Sequence, residues 1–373
     1  NTLYSNLFAN EARLAFTAIS DKRDIQGSPF PSVSLYPTSG SGKVYAGIDN
    51  YSQANTLDQR ILEFTDNLSI FWNNHTFTFG TSNQFISFDN LYLQDYFGTY
   101  SFSNIEALES GTPSSYKHNY SLDSNDLMPH CKFSYLQLGV YAQDEMIVNT
   151  RLKLTAGVRI DMFAFPEKPT YNPEFEAAFP GYSTSKLPNP IAISPRIGAN
   201  YDLFGDKKIQ HRGGIGLFSG RTPGVWISNQ FSNNGMQIAA IEVSGQDAPA
   251  FNPDPYNQPI LGALKSEIAI TDPDFKMPQL FRANAAVDIQ LPHGFVFTIE
   301  GILGRTVNDV LYKNINLQYQ KDTAGNQVFR IDGRPVYWNT PVSSRFNRVI
   351  LMTNTSEGFQ NSLTFQLQKQ FGQ

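Results

Sequence analysis

Residues that take turns, apolar then polar, constrain this chain more than any other feature. In the run Arg151–Met162, "RLKLTAGVRIDM", the even positions are Leu152, Leu154, Ala156, Val158, Ile160 and Met162. The odd positions are Arg151, Lys153, Thr155, Gly157, Arg159 and Asp161. A helix would scatter both sets around its circumference, whereas a strand sends them to opposite faces. "ISPRIGANYDL" repeats the pattern, with Ile193, Ile197, Ala199, Tyr201 and Leu203 opposing Ser194, Arg196, Asn200 and Asp202. "FRANAAVDIQL" sets Phe281, Ala283, Val287, Ile289 and Leu291 against Arg282, Asn284, Asp288 and Gln290. In "RILEFTDNLSIFW" the residues Leu62, Phe64, Leu68, Ile70 and Trp72 share a face that Asp66 interrupts.

Ten such strands are predicted, near Tyr4–Ser20, Gln59–Trp72, His75–Phe88, Phe133–Val148, Arg151–Ala164, Ile191–Leu203, Lys208–Gly220, Gln279–Leu291, Phe295–Gly304 and Phe359–Phe371. Their connections fall into two classes. Short ones, Asn73-Asn74, Asn149-Thr150, Phe204–Lys208 and Pro292–Gly294, carry turn residues. Long ones run from Asp21 to Asp58, Phe88 to Cys131, Phe165 to Ala192, Arg221 to Pro278 and Gly304 to Gly358. Structureless loops of that length do not suit a compact soluble domain. Alternating short and long connections suit a membrane barrel with short periplasmic turns and long outer loops. The expected fold class is therefore all-β, a transmembrane antiparallel β-barrel.

Composition agrees. Charged residues make up 16% and aromatics 13%, with mean hydropathy −0.32, and no run approaches the roughly 18 apolar residues of a membrane helix. The net charge of −5 gives no footing for nucleic acid. The one cysteine, Cys131, excludes an intrachain disulfide. The sequence begins at Asn1 without a signal segment, so a mature form or a piece of a longer protein is expected.

No constellation predicts covalent chemistry, a metal or a cofactor. His75, His118, His130, His211 and His293 are scattered. His118 and His130 share a loop with Asp123, Asp126 and Cys131, but at no standard zinc spacing. Asp49–Gln59 and Asn252–Pro259 hold carboxylates without the regular spacing of a calcium loop. "GGIG" at Gly213–Gly216 falls inside a predicted strand, where close packing accounts for it, and "GSGK" at Gly40–Lys43 lacks the upstream glycine of a phosphate loop. The alternation instead points Arg151, Lys153, Arg159, Asp161, Arg196, Asp202, Arg282, Asp288 and Glu300 into the lumen. There they line a polar path or hold a plug; a wet lumen is polar in any large barrel. Loop aromatics, among them Tyr182, Trp226, Tyr256, Tyr337 and Trp338, are the candidates for ligand capture.

Several segments resemble the barrel of TonB-dependent outer-membrane receptors. They are "LGVYAQDEMIVNTRLKLTAGVRID" (Leu138–Asp161), "SPRIGANYDLFGDKKIQHRGGIGLFSGR" (Ser194–Arg221), "SNLFANEARLAFTAISDKRD" near the start, and "FGTYSFSNIEALESGTPSSY" (Phe97–Tyr116). Together they look like the Oar-like branch common in Bacteroidetes, whose members carry a carboxypeptidase-regulatory-like N-terminal domain. The resemblance implies a barrel of about 22 strands around a plug, of which this chain holds less than half and neither plug nor TonB box. It implies energy-coupled import without covalent chemistry, outer-membrane lipid as surroundings, and the TonB–ExbB–ExbD complex as partner through the plug. A surface lipoprotein partner fits the same group. The alternatives are a passive channel or structural envelope barrel, and a ten-stranded hydrolase similar to omptins using His118, His130, Asp123 and Asp126.

Overall fold

The computed structural model describes residues 2–5, 7–36, 42–221, 223–262, 265–369 and 371. Ten long strands form its wall: β1 (Phe8–Lys22), β2 (Asn55–Trp72), β3 (His75–Tyr92), β4 (Cys131–Ile147), β5 (Leu152–Ala164), β6 (Ile191–Asp202), β7 (Ile209–Ser219), β8 (Gln279–Leu291), β9 (Phe295–Asn314) and β10 (Phe359–Lys369). Each pairs antiparallel with the next in chain order. Such a meander arises when consecutive strands of matching period are joined by tight turns. The wall does not close on itself: the short strand Thr2–Ser5 lies on the free edge of β1, and β10 pairs only with β9 among the described residues.

Side-chain parity is continuous around the wall. On β5, Val158 sits between Ala142 of β4 and Pro195 of β6, and Ile160 between Val140 and Ile193. Val158, Ile160 and their counterparts Ile215, Leu303, Leu363 and Phe365 are exposed on the outward face. The opposite face carries most of the charges. Surfaces of this kind are stable only with hydrocarbon outside and water inside. Turn chemistry closes the lower end. Asn73 has φ 52°, and His293 and Gly294 have φ 62° and 76°. Asn149 Oδ1 accepts from the amides of Arg151 and Leu152 at 2.8 and 3.0 Å.

The upper connections depart from expectation: they are not structureless. Residues of three of them build a five-stranded sheet in the order Ile238–Ser244, Ser115–Ser121, Thr99–Phe102, Ser32–Leu35, Val44–Ala46. Its buried core includes Val33, Tyr100, Phe102, Tyr116 and Ile241. Three short helices accompany it: α1 (Ile105–Glu109), α2 (Pro173–Ala178) and α3 (Gly224–Ser232). Asn104 and Asn172 cap the first two through their side-chain oxygens. Strands Ser266–Thr271 and Phe346–Thr355 pair in parallel, and the latter also pairs with Asp309–Asn314 at the top of β9, above the stretch that holds β10. Alternation could not reveal these elements, because they fold around their own apolar cores.

At the mouth, the inner face of the wall turns apolar. Ile86, Phe88, Phe133, Tyr135 and Phe163 are buried there against Ile227 and Phe231 of α3, together with Phe275, Met277 and Met352. Phe133 stacks on Phe231 with ring centroids 4.6 Å apart. Gly224 is required at this contact, since a Cβ there would meet the Phe88 ring at 2.2 Å.

Candidate functional site

Polar groups gather in two places, the lumen face and the outer cap. On the lumen face β4–β9 bring together most of the predicted charges in local pairs. Lys153 bonds Glu145 at 2.5 Å, and Arg196 Nη2 donates to Gln143 Oε1 at 2.9 Å. Arg159 grips Asp161 through Nε and Nη2 at 2.8 and 2.7 Å, with its guanidinium 5.5 Å from the Tyr141 ring centre. Asp161 is 3% exposed. Tyr141 in turn donates its hydroxyl to Asn67. Further along, Asp288 and Glu300 share Arg212, at 2.8 and 3.4 Å, and Thr298 donates to Asp288 at 2.7 Å. Glycine makes room for these long side chains. A Cβ at Gly216 would come within 2.9 Å of Arg196 Cβ, and Gly139 leaves the space that the Arg159 guanidinium occupies.

Three of the predicted lumen residues stand apart. Asp202 accepts from the amides of Gly205 and Lys207 at 2.9 and 3.0 Å, so its carboxylate organises the turn below. Arg151 lies beside Gly205 at that turn. Arg282 is exposed on β8 and has no side-chain partner among the described residues. Arg212, the centre of the larger network, is absent from the sequence prediction, although its parity with Gln210 on β7 could have revealed it.

Above the wall, a cleft with a cavity of about 80 Å³ opens between the end of β3, strands Ser115–Ser121 and Ile238–Ser244, and the parallel pair. Lys117–Glu242 at 2.6 Å and Arg348–Glu267 at 2.9 Å lie along it, and Asn347 donates to Glu242 at 3.2 Å. The Lys117 ammonium holds the Glu242 carboxyl below its usual range. Asp95, at the cleft's base, adopts φ 56°. Its Oδ1 accepts from Thr99 Oγ1 at 2.5 Å and Asn50 Nδ2 at 3.2 Å, and its carbonyl accepts from Gly98 and Asn119 amides. Burial pushes the Asp95 carboxyl up and the His118 imidazole down. His118 apart, none of these residues was singled out from sequence, because loop sequence carries no periodicity that would join them.

The predicted capture aromatics do not converge. Tyr182 packs on the Phe175–Phe346 cluster. Trp226 on α3 meets Tyr312 edge-on at 5.9 Å, and Tyr256 meets Phe97 at 5.6 Å. Tyr337 stacks on Tyr319 at 4.9 Å, and Trp338 is exposed on the same arm, residues 317–341. A triangle of backbone bonds stiffens that arm: Gln320 to Val336, Val336 to Val328 and Val328 to Gln320, each 2.9 Å.

Other sequence features are absorbed structurally. His118 is buried and bonds the Asp95 carbonyl through Nδ1 at 3.3 Å, whereas His130 pairs with Asp89 at 2.6 Å and Asp123 bonds Asn125. Among the described residues no group of three His, Cys, Asp or Glu is placed to hold a metal ion. Asp49 and Asp254 accept from backbone amides of their own loops. Gly213–Gly216 lies within β7, and part of "GSGK" lies outside the described residues.

An outward apolar belt, a charged lumen face and a folded outer cap define the wall of an outer-membrane β-barrel. The chain belongs to the outer membrane beta-barrel domain family, whose model matches residues 3–373, and its place is the outer membrane of a Gram-negative bacterium. No curated protein matches it in sequence. Among solved structures it is similar to the outer membrane transporter YddB from Escherichia coli, with TM-score 0.50 and 13% identity over 98% of this chain and 37% of that one. The siderophore receptor PirA from Acinetobacter baumannii aligns at TM-score 0.47 and 10% identity, over 98% of this chain and 40% of its own. The chain thus spans well under half of either structure. The likeness to YddB concerns the fold.

Proposed function

We propose that this wall belongs to an energy-coupled importer, a TonB-dependent receptor of the Oar-like branch. Ligand is first held at the outer cap, and the inner-membrane TonB–ExbB–ExbD complex then acts through a plug to let it pass along the lumen. The observation that carries this reading is the packing of α3 against the inner face of the wall. An outer-loop helix stacked on the inner face at the mouth favours gated passage over free diffusion. Arg159, Asp161, Arg196, Arg212, Arg282, Asp288 and Glu300 then line the path, and Tyr182, Trp226, Tyr256, Tyr337 and Trp338 serve capture at separate points of the rim. The 317–341 arm offers an outer protein, a surface lipoprotein for instance, a rigid contact. No covalent step is involved.

The test is uptake by the full-length protein in cells with and without the inner-membrane complex. Import is expected only when the complex and a proton gradient are present. Equal uptake in both strains would replace this reading with the passive channel.

A further inference from the structure

The outward belt of β1–β3 is broken by a polar island. Asp66 stands between Phe64 and Leu68 on β2, with Ala12 and Thr81 as cross-strand neighbours; Asn10 lies opposite Leu68, and Asn83 opposite Phe64. Apolar side chains enclose it, Leu14, Leu62 and Phe85 above and Ile70, Phe79 and Trp72 below. Asp66 lies six positions before Trp72 at the lower turn. At about 3.3 Å rise and about 40° tilt that is about 15 Å of height, the middle of an apolar band about 25 Å tall. Lipid headgroups and bulk water do not reach this depth.

The hydrogen bonds of the island leave a one-sided remainder. The Asn10 amide donates to Asp66 Oδ1 at 2.9 Å and to the Asn67 carbonyl at 3.2 Å. Asn83 donates to Thr81 Oγ1 at 2.7 Å, and Thr81 donates to the Gly139 carbonyl at 2.9 Å. Asp66 Oδ2, Asn10 Oδ1 and Asn83 Oδ1 then lack donors among the described residues, against one spare N–H on Asn83. Hydrocarbon offers none, and an ionisable side chain at this depth points to a partner.

We propose that this face docks a second membrane protein that presents an arginine or lysine at mid-bilayer depth. Charge complementarity selects that occupant, since acceptors without donors call for a cation. A second copy of this chain does not supply it from its described wall. Its outward bases Lys22, Arg60, Lys132 and Arg305 lie towards the upper margin of the belt, and Lys369 lies at the lower.

The experiment uses the full-length protein, with Asn10→Leu and Asp66→Leu combined, and a photo-crosslinking residue at Phe64 or, as control, at Val158 on β5. In purified lipid vesicles the double variant is expected to resist denaturant as well as the parent or better. In native outer membranes it should lose the parent's high-mass complex at least tenfold on native gels. The crosslinker at Phe64 should join a membrane-spanning segment of another protein next to an Arg or Lys, only when Asp66 is present, and the one at Val158 should not. A complex unchanged by the variant, an adduct of this chain with itself, or loss of stability in vesicles would each overturn the proposal.

Discussion

The wall and the cap are two solutions to the same problem, built from one chain. The wall puts Val158, Ile215 and Phe365 outside and Arg159, Asp161 and Arg212 inside. The cap does the reverse, burying Tyr100, Phe102 and Tyr116 completely and exposing Lys117 and Glu242. The difference is the solvent. Where hydrocarbon surrounds the protein, backbone pairing around the wall is obligatory and apolar side chains are free to face out. Where water surrounds it, only apolar burial offsets the entropy of ordering the chain. The two regimes meet at α3, a water-soluble element seated on the inner face of a membrane wall.

That junction is the place to break the comparison with the largest effect. Phe231→Ala should remove about 3–5 kcal/mol of packing from the mouth, since the ring is 8% exposed and stacks on Phe133. The expected outcome is faster hydrogen exchange in residues 221–278 and higher single-channel conductance, with the strands of the wall unaffected. Equal loss of protection in β3 and β4 would mean that wall and cap unfold as one unit.

Next in size is the contrast between faces. Val158→Arg places a cation at mid-height on the outward face and should cost about 2–4 kcal/mol, whereas Thr155→Arg, pointing into the lumen, should cost little. Denaturant unfolding in lipid vesicles measures both. Similar losses at the two positions would contradict the assignment of the faces.

The sequence carried the wall well because a repeat of two survives every local accident. All ten predicted strands are present, with ends shifted by a few residues in most cases and by as many as ten at the top of β9, where Arg305–Asn314 continues above the belt. The cap was illegible for the converse reason. Strand Ser115–Ser121 has Tyr116, His118 and Tyr120 on one face, a signal too short to stand out within a polar loop of this length. The parallel pair is held by contacts between residues roughly 80 positions apart, which no local window joins. The candidate site divides along the same line. Lumen charges could be read from parity, Arg212 among them, but which of them pair with one another, and with Glu145 and Gln143, had to be found in space, and the cleft of Lys117, Glu242, Glu267 and Arg348 was invisible.

A smaller effect separates the two regions by pH. Burial depresses the His118 pKa in the cap, so the unfolded cap takes up a proton more readily than the folded one. The stability this contributes is complete above the ordinary histidine value, near 6.5, and is lost as pH falls from there through the depressed value. Relative to the intrinsic exchange rate at each pH, protection of the amides of Ser115–Ser121 should therefore fall at pH 5 compared with pH 7.5, with that of β5–β8 little changed. His118→Gln should flatten the difference. The Asp95 carboxyl, raised by burial, acts oppositely, favouring the fold at low pH. Asp95→Asn should therefore steepen the acid sensitivity that remains in the parent.

The smallest expected effect tests what the cleft's charges are for. Lys117 and Glu242 are each 42% exposed, and ion pairs in such surroundings contribute about 0–1 kcal/mol. Lys117→Met should hardly move the unfolding of the cap, because its core of Tyr100, Phe102 and Tyr116 is untouched. In the wall, by contrast, Arg212→Met leaves Asp288 and Glu300 facing each other without their shared cation, and the stability loss should be the larger of the two. If Lys117→Met instead weakens uptake by the full-length protein while its unfolding stays at the parent's value, the cleft is held for ligand rather than for the fold. If uptake is also unchanged, the pair has no share in transport, and the first contact of the ligand lies elsewhere on the rim.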